Sequence, residues 1–312
     1  MSKQHESKKQ PGRPAPSKKS PAADWIFLSV LLLAVATVRL RLLAIPFERD
    51  EGEYAYMGSL LLKGLPLYSE AYTLKLPGTA LMYAVFQTLF GRSVEGIHLG
   101  LMLVNLATIV LLFIALSNVY SSGIAGCTAA IYGIMSLSPS VYGFAAHATQ
   151  FVAFFTALAL FFYSRYLAGK RWTAALMGLS AGMAILMKQH AGYLVLFFGL
   201  LLMIEAVSGR KRSTGRMIMH GSYFFVGAAL PCLTAVLLTV ANGTFGSFWF
   251  YTVEYAHEYI SEITVMSAFE LLMTSFRPMW SEFMLVWILA FGAPVALWFT
   301  ALEWKRKVLA AL

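Results

Sequence analysis

The chain has 312 residues, 59% of them apolar and 12% charged, and carries a net charge of +9. That balance argues against a water-soluble domain and for a helical protein that crosses a membrane many times. Two cysteines, Cys127 and Cys232, both inside apolar runs, argue against a disulfide framework and against a cysteine-built zinc site.

The N-terminal stretch holds Lys3, Lys8, Lys9, Arg13, Lys18 and Lys19 among prolines and serines, with almost nothing apolar. It cannot bury enough surface to fold, so residues 1–21 read as a disordered, basic cytoplasmic tail. Beside a membrane span, such a tail marks topology or touches anionic lipid rather than nucleic acid. The apolar run from Trp25 is too long for the core of a cleavable signal peptide, and no small-residue cleavage site follows it.

Residues 22–312 then form one transmembrane domain. Eight runs approach the 17–25 residues that cross about 30 Å of hydrocarbon: Trp25–Ile45, Ile97–Leu116, Val119–Leu137, Gln150–Leu167, Trp172–Met187, Ala191–Ala206, Met217–Ala241 and Phe283–Ala301. A ninth, Leu76–Gly91, opens on Pro77 and Gly78 and is decided by charge. If it does not cross, Arg165/Lys170/Arg171, Arg210–Arg216 and Lys305–Lys307 all face the side of the tail. Sixteen basic residues then lie inside and six outside, with Arg39 and Arg41 late in the first span. Leu76–Gly91 is therefore expected to lie in the outer interface. The fold is an all-α bundle of about eight spans in the cell (inner) membrane, with the N-terminus cytoplasmic. Its outer loops are 47–96, with interfacial helices, and 242–282.

The outer loops collect the acids: Glu48, Asp50, Glu51, Glu53, Glu70 and Glu95 in the first, and Glu254, Glu258, Glu262, Glu270 and Glu282 in the second. Asp50 with Glu53 three residues on resembles a capping pair for a helix over 51–62, with Tyr54, Met57 and Leu61 as its membrane-facing stripe. A carboxylate there is also held ionised by the helix dipole. Lys75, where the chain re-enters the interface, is either a snorkelling lysine or a phosphate ligand. Arg39 and Arg41 point in different directions on one helix, so one can reach the headgroups while the other turns inward to a partner such as a lipid phosphate. His147 and Gln150 stand at the mouth of a span, and Lys188-Gln189-His190 forms a polar turn; both sets are either interfacial or substrate-facing. Glu254, Glu258 and Glu262 share a helix face beside His257, as a solvated face or as a metal or acceptor site. The zincin spacing is absent, and there is no glycine-rich phosphate loop. A transporter or flippase would need polar groups at mid-span, where Asn105 is the main one. A non-catalytic membrane subunit is the other competing reading.

At these residues the chain resembles the GT-C membrane glycosyltransferases, among them the protein O-mannosyltransferases and the lipid A aminoarabinose transferases. The resemblance lies in the arginine late in span one, in Asp50-Glu51-Gly52-Glu53-Tyr54-Ala55, in Lys75-Leu76-Pro77-Gly78 and in Met187-Lys188-Gln189-His190. It implies a glycosyltransferase that moves a sugar from a polyprenyl-phosphate donor to a hydroxyl on a lipid, protein or glycan, with inversion, at the outer membrane face. Asp50 would be the general base with Glu51 supporting it. Lys75, with Arg39 or Arg277, would hold the donor phosphate, and Tyr54, His147, Gln150 and Lys188 would contact substrate. No metal is required, although some relatives bind divalent ions. Members of the group usually have eleven or more spans, so the resemblance also implies a sequence truncated at its C-terminus, a degenerate copy or a compact variant.

Overall fold

The computed structural model describes residues 21–208 and 214–299. The basic tail, residues 209–213 and the Lys305–Lys307 cluster lie outside the described residues. Within them every regular element is helical and no strand occurs. In chain order the helices are α1 Pro21–Arg41, α2 Arg49–Leu62, α3 Gly78–Phe90, α4 Val94–Ser117, α5 Ser122–Met135, α6 Ala148–Leu167, α7 Thr173–Met187, α8 Gly192–Ser208 and α9 Thr214–Ala241. After them come α10 Phe245–Trp249, a π-turn Phe250–Glu254, α11 Tyr255–Ser261, α12 Val265–Glu282 and α13 Met284–Trp298.

Each of the eight expected spans is a helix, and among the described residues five are long and apolar enough to cross a membrane: α1, α4, α6, α8 (extended by the Gln189–Ala191 turn) and α9. Of the others, α5 and α7 have 14 and 15 residues, about 21–23 Å at 1.5 Å per residue and short of the roughly 30 Å core. The last, α13, runs to Trp298, at the edge of the described residues. The chain is a multi-pass helical membrane protein. Side-chain caps set where its helices begin: Ser93 accepts from the Gly96 amide at 3.1 Å to open α4, and Ser121 from the Ile124 amide at 3.4 Å to open α5.

Lipid offers no hydrophobic drive for one helix to join another, so contact between spans depends on close backbone approach at small residues. That is how α7 meets α9. Gly178 lies against the Phe224 carbonyl, Gly182 against the Ala228 carbonyl, and Gly227 of α9 against the Ala175 carbonyl. In each case a Cβ would collide with backbone. Gly178 with Phe224 and Gly182 with Ala228 ascend together along the two helices, which makes them parallel neighbours and brings the far ends of both to one side of the bundle. Gly182→Leu is expected to separate α7 from α9. The detergent-solubilised variant should lose its compact, monodisperse species in size-exclusion chromatography, and unchanged elution and melting would refute this packing.

That same side gathers the site. Thr79, at the start of α3, donates to the Met187 carbonyl at the end of α7 (3.1 Å), and Phe90 at the other end of α3 turns through Gly91 into α4. The short α3 thus begins and ends beside helix termini at one end of the bundle. It packs on α2, where the buried Gln87 donates to the Ala55 carbonyl at 2.7 Å. The stripe of α2 differs from expectation: Tyr54 and Met57 are buried in the main core with Tyr83 and Phe151 and do not face the membrane.

Candidate active site

The first turn of α2 decides which acid does what. The sequence suggested Asp50 as the cap; the cap is Glu48, two residues earlier. Glu48 accepts from the Asp50 amide (2.8 Å), and Glu51 reaches back to accept from the Glu48 amide (3.0 Å), a reciprocal box. Glu48 and Glu51 stand at the same three-residue separation as Asp50 and Glu53, and the contacts of Glu51 with Ala146 and His98 favour the earlier pair. Asp50 and Glu53 are thereby released from capping and share one face of the helix.

Glu51 is 1% exposed. Its Oε1 accepts from the Ala146 amide at 2.6 Å and faces His98 Nε2 at 3.1 Å. His98 Nδ1 faces the Leu43 carbonyl at 2.8 Å. With acceptors at both nitrogens, the imidazole that satisfies both donates from both, which makes an imidazolium–carboxylate pair. Glu51 thus joins α2, α4 and the segment before α6, and its oxygens are fully committed.

Asp50 points the other way, toward a half-open cluster. Its Oδ2 is 3.2 Å from Lys75 Nζ and 3.4 Å from His147 Nε2. Lys75 Nζ is also 2.7 Å from Glu53 Oε2 and sits 4.4 Å above the Tyr54 ring. Glu53 Oε1 accepts from the Thr73 hydroxyl at 2.7 Å, and that hydroxyl accepts from the Lys75 amide at 3.1 Å. His147 is the N-cap of α6 and its ring stacks 5.7 Å from Tyr142. Its Nδ1 faces the Thr149 hydroxyl at 3.0 Å and caps the Thr149 amide, which leaves Nε2–H to donate to Asp50.

Two tyrosines hold this frame in a backbone region that only glycine adopts freely. Tyr142 has φ 52° and Tyr68 φ 69°. Such residues cost about 1–3 kcal/mol each and persist where surrounding contacts fix them. Tyr142 presents its ring to His147, and Tyr68 donates from its hydroxyl to the Lys75 carbonyl at 2.9 Å.

Charge follows geometry. Burial raises the Asp50 carboxyl, but Lys75 outweighs it, helped by His147 and Arg49, and the net direction is down. Burial, and then Lys188, pull His147 down against Asp50 and Glu48, so its imidazole is neutral near pH 7. Lys188, the C-cap of α7, faces the same cluster: burial lowers its ammonium, Asp50 raises it and Lys75 lowers it, with a net fall. Tyr54 is pushed up by burial, then by Asp50 and Glu53, and remains a neutral phenol.

Of the residues singled out by sequence, Asp50, Lys75, Tyr54, His147 and Lys188 come together here, with Glu51 directly beneath. Gln150 is buried nearby and its amide reaches the Tyr142 carbonyl at 3.4 Å. Arg39 is elsewhere. Its Nη2 donates to the Ser136 carbonyl at 2.5 Å and the Gly143 carbonyl at 2.8 Å, so the buried arginine is partnered by protein backbone where a lipid phosphate was expected. Arg41 is the exposed one of the two. Arg277 is exposed on α12, and no described contact joins it to the cluster. Asn105 is satisfied internally, its Oδ1 accepting from the Tyr132 hydroxyl at 2.6 Å. Glu254, Glu258, Glu262 and His257 lie on or beside the exposed α11. Among the described residues no three His, Cys, Asp or Glu side chains form a metal-binding group.

Sequence reasoning missed Glu53, Thr73 and His98. Glu53 could have been found from the helix wheel, since it shares a face with Asp50 whereas Glu51 is turned about 100° away. A titratable ring one turn inside the apolar α4 also demands a partner.

The chain matches a model of membrane glycosyltransferases of the GT-C type over residues 75–238. The family is described as dolichyl-phosphate-mannose-protein mannosyltransferase; the match covers more than half of the 312 residues, and the chain belongs to that family. Lys75 is the first matched residue; His98, His147 and Lys188 lie within the match, and Asp50 and Glu53 precede it. No curated protein and no solved structure matches the chain.

Proposed function

We infer that the chain transfers a sugar from a polyprenyl-phosphate donor to a hydroxyl acceptor at this cluster, on the non-cytoplasmic face of the cell membrane. The observation that carries the reading is the single carboxylate oxygen of Asp50 facing both Lys75 Nζ at 3.2 Å and His147 Nε2 at 3.4 Å. An anionic base and a cation for a phosphate stand side by side there. Asp50 takes the proton of the acceptor hydroxyl as its oxygen bonds to the anomeric carbon. The bond from that carbon to the phosphate oxygen breaks, and its electron pair leaves with the lipid phosphate. One displacement inverts the anomeric centre. Lys75 and Lys188 offset the growing phosphate charge. His147 and Glu51 are positioning residues, the first aiming Asp50 and the second anchoring the helix end that carries it.

The lipid tail has a matching surface. An apolar cavity of about 390 Å³, lined by Leu61, Leu67, Pro77, Leu81, Leu186 and Leu230 among others, opens two residues beyond Lys75. Apolar side chains from α2, α3, α7 and α9 converge there. The direct test is transfer of radiolabelled mannose from polyprenyl phosphate mannose to a hydroxyl acceptor by reconstituted protein. Lys75→Ala should cut transfer by about tenfold or more, and transfer equal to wild type would sink this assignment of Lys75.

A further inference from the structure

We propose that Glu53 is a stand-in for the donor phosphate, an internal anion that holds Lys75 in place until the donor displaces it. The proposal rests on the donor site inferred above. Before the donor binds, two carboxylates, Asp50 and Glu53, both face the Lys75 ammonium, so the lysine is already paired without substrate. Lys75 is nearer to Glu53, at 2.7 Å, than to Asp50, at 3.2 Å. Glu53 is also the better anchored acid, because its other oxygen accepts from the buried Thr73 hydroxyl that fixes the Lys75 backbone. One carboxylate therefore holds both the lysine's chain and its charge.

A glycosyl phosphodiester brings one more negative charge, and it must compete with Glu53 for the same ammonium. The reaction then moves charge without changing its sum. As Asp50 takes the acceptor proton it loses its charge, and the departing phosphate gains one. Lys75, within reach of Asp50 and pivoting over the Tyr54 ring, can follow that charge from base to leaving group. Glu53 takes Lys75 back when the lipid phosphate leaves.

An internal competitor has an unusual signature, since its removal tightens ligand binding. The test uses the whole chain in nanodiscs with polyprenyl monophosphate as the probe. Glu53→Gln should bind it about two- to fivefold more tightly than wild type, the scale of one partly exposed ion pair. Glu53→Asp keeps the charge but draws it back, and should fall between the two; it carries the test if the glutamine variant does not fold. The gain should vanish when Glu53→Gln is combined with Lys75→Ala. Equal or weaker binding by both folded Glu53 variants overturns the proposal. If Lys75→Ala alone leaves binding unchanged, the donor-site reading itself is wrong, which separates the two failures.

Discussion

Asp50→Asn should lower sugar transfer by about 10²–10⁴-fold, the usual contribution of a positioned general base, while polyprenyl phosphate still binds. The amide keeps the shape of the side chain and can still accept from His147, but it cannot take the acceptor proton. Transfer and binding must therefore separate; a variant that binds donor and transfers at the wild-type rate would remove Asp50 from the chemistry. The pH profile adds an independent check. Burial pushes Asp50 up, but Lys75, His147 and Arg49 bring it net down, so in the free enzyme it ionises below the ordinary aspartate value of about 3.9. Ionised Asp50 is the active form, and activity is lost only as the pH falls through that lowered value. The kcat/KM profile should thus stay flat on its acid side to about pH 4 as far as Asp50 is concerned. A limb at higher pH than this, below the ordinary imidazole value of about 6.5, would report the lowered His147 ring instead.

The largest stability effect is expected at Glu51. Glu51→Ala removes the acceptor for the Ala146 and Glu48 amides and leaves His98 Nε2 without its partner at a site where both side chains are under 5% exposed. Breaking one side of a buried ion pair costs about 3–5 kcal/mol, which should show as a lower unfolding midpoint in detergent. His98→Leu should cost a comparable amount by orphaning Glu51. The double variant is informative because two apolar partners leave no uncompensated charge. Its loss should be clearly smaller than the two single losses added together, and strict additivity would show that the pair does not act as a unit.

These two neighbours show what could and could not be read from the chain. That acids cluster outside the apolar runs, and that the first cluster follows span one, is written in hydropathy and charge. The division of labour between Asp50 and Glu51 is not, because it depends on where α2 begins. Two overlapping acid pairs, Glu48/Glu51 and Asp50/Glu53, each satisfy the capping spacing, and only packing against Ala146 and His98 selects the first. The choice then turns Glu51 inward and leaves Glu53 on the open face with Lys75. Arg39 was legible as a buried charge in need of a partner, but its partners lie about a hundred residues further on, in a loop with no regular pattern to announce it. The short helices α5 and α7 were found as apolar runs; α5 stops short of a full crossing where the chain leading to α6 turns into the protein, with Ser136, Ser138, Ala145 and Ala146 all buried.

The two carbonyls that receive Arg39 lie 97 and 104 residues after it. At about 5–20 residues per second of synthesis, the first span waits roughly 5–20 s before its arginine has anything to bind. Arg39 stands in the last turn of α1, so during that interval its guanidinium can stay among headgroups and water. Only when the Ser136–Gly143 stretch has emerged does the side chain withdraw into the protein. The hydrogen bonds that seat Arg39 can therefore form only after α5 has been made, and the loop they secure is the same one that presents Ala146 and His147 to the acids of α2.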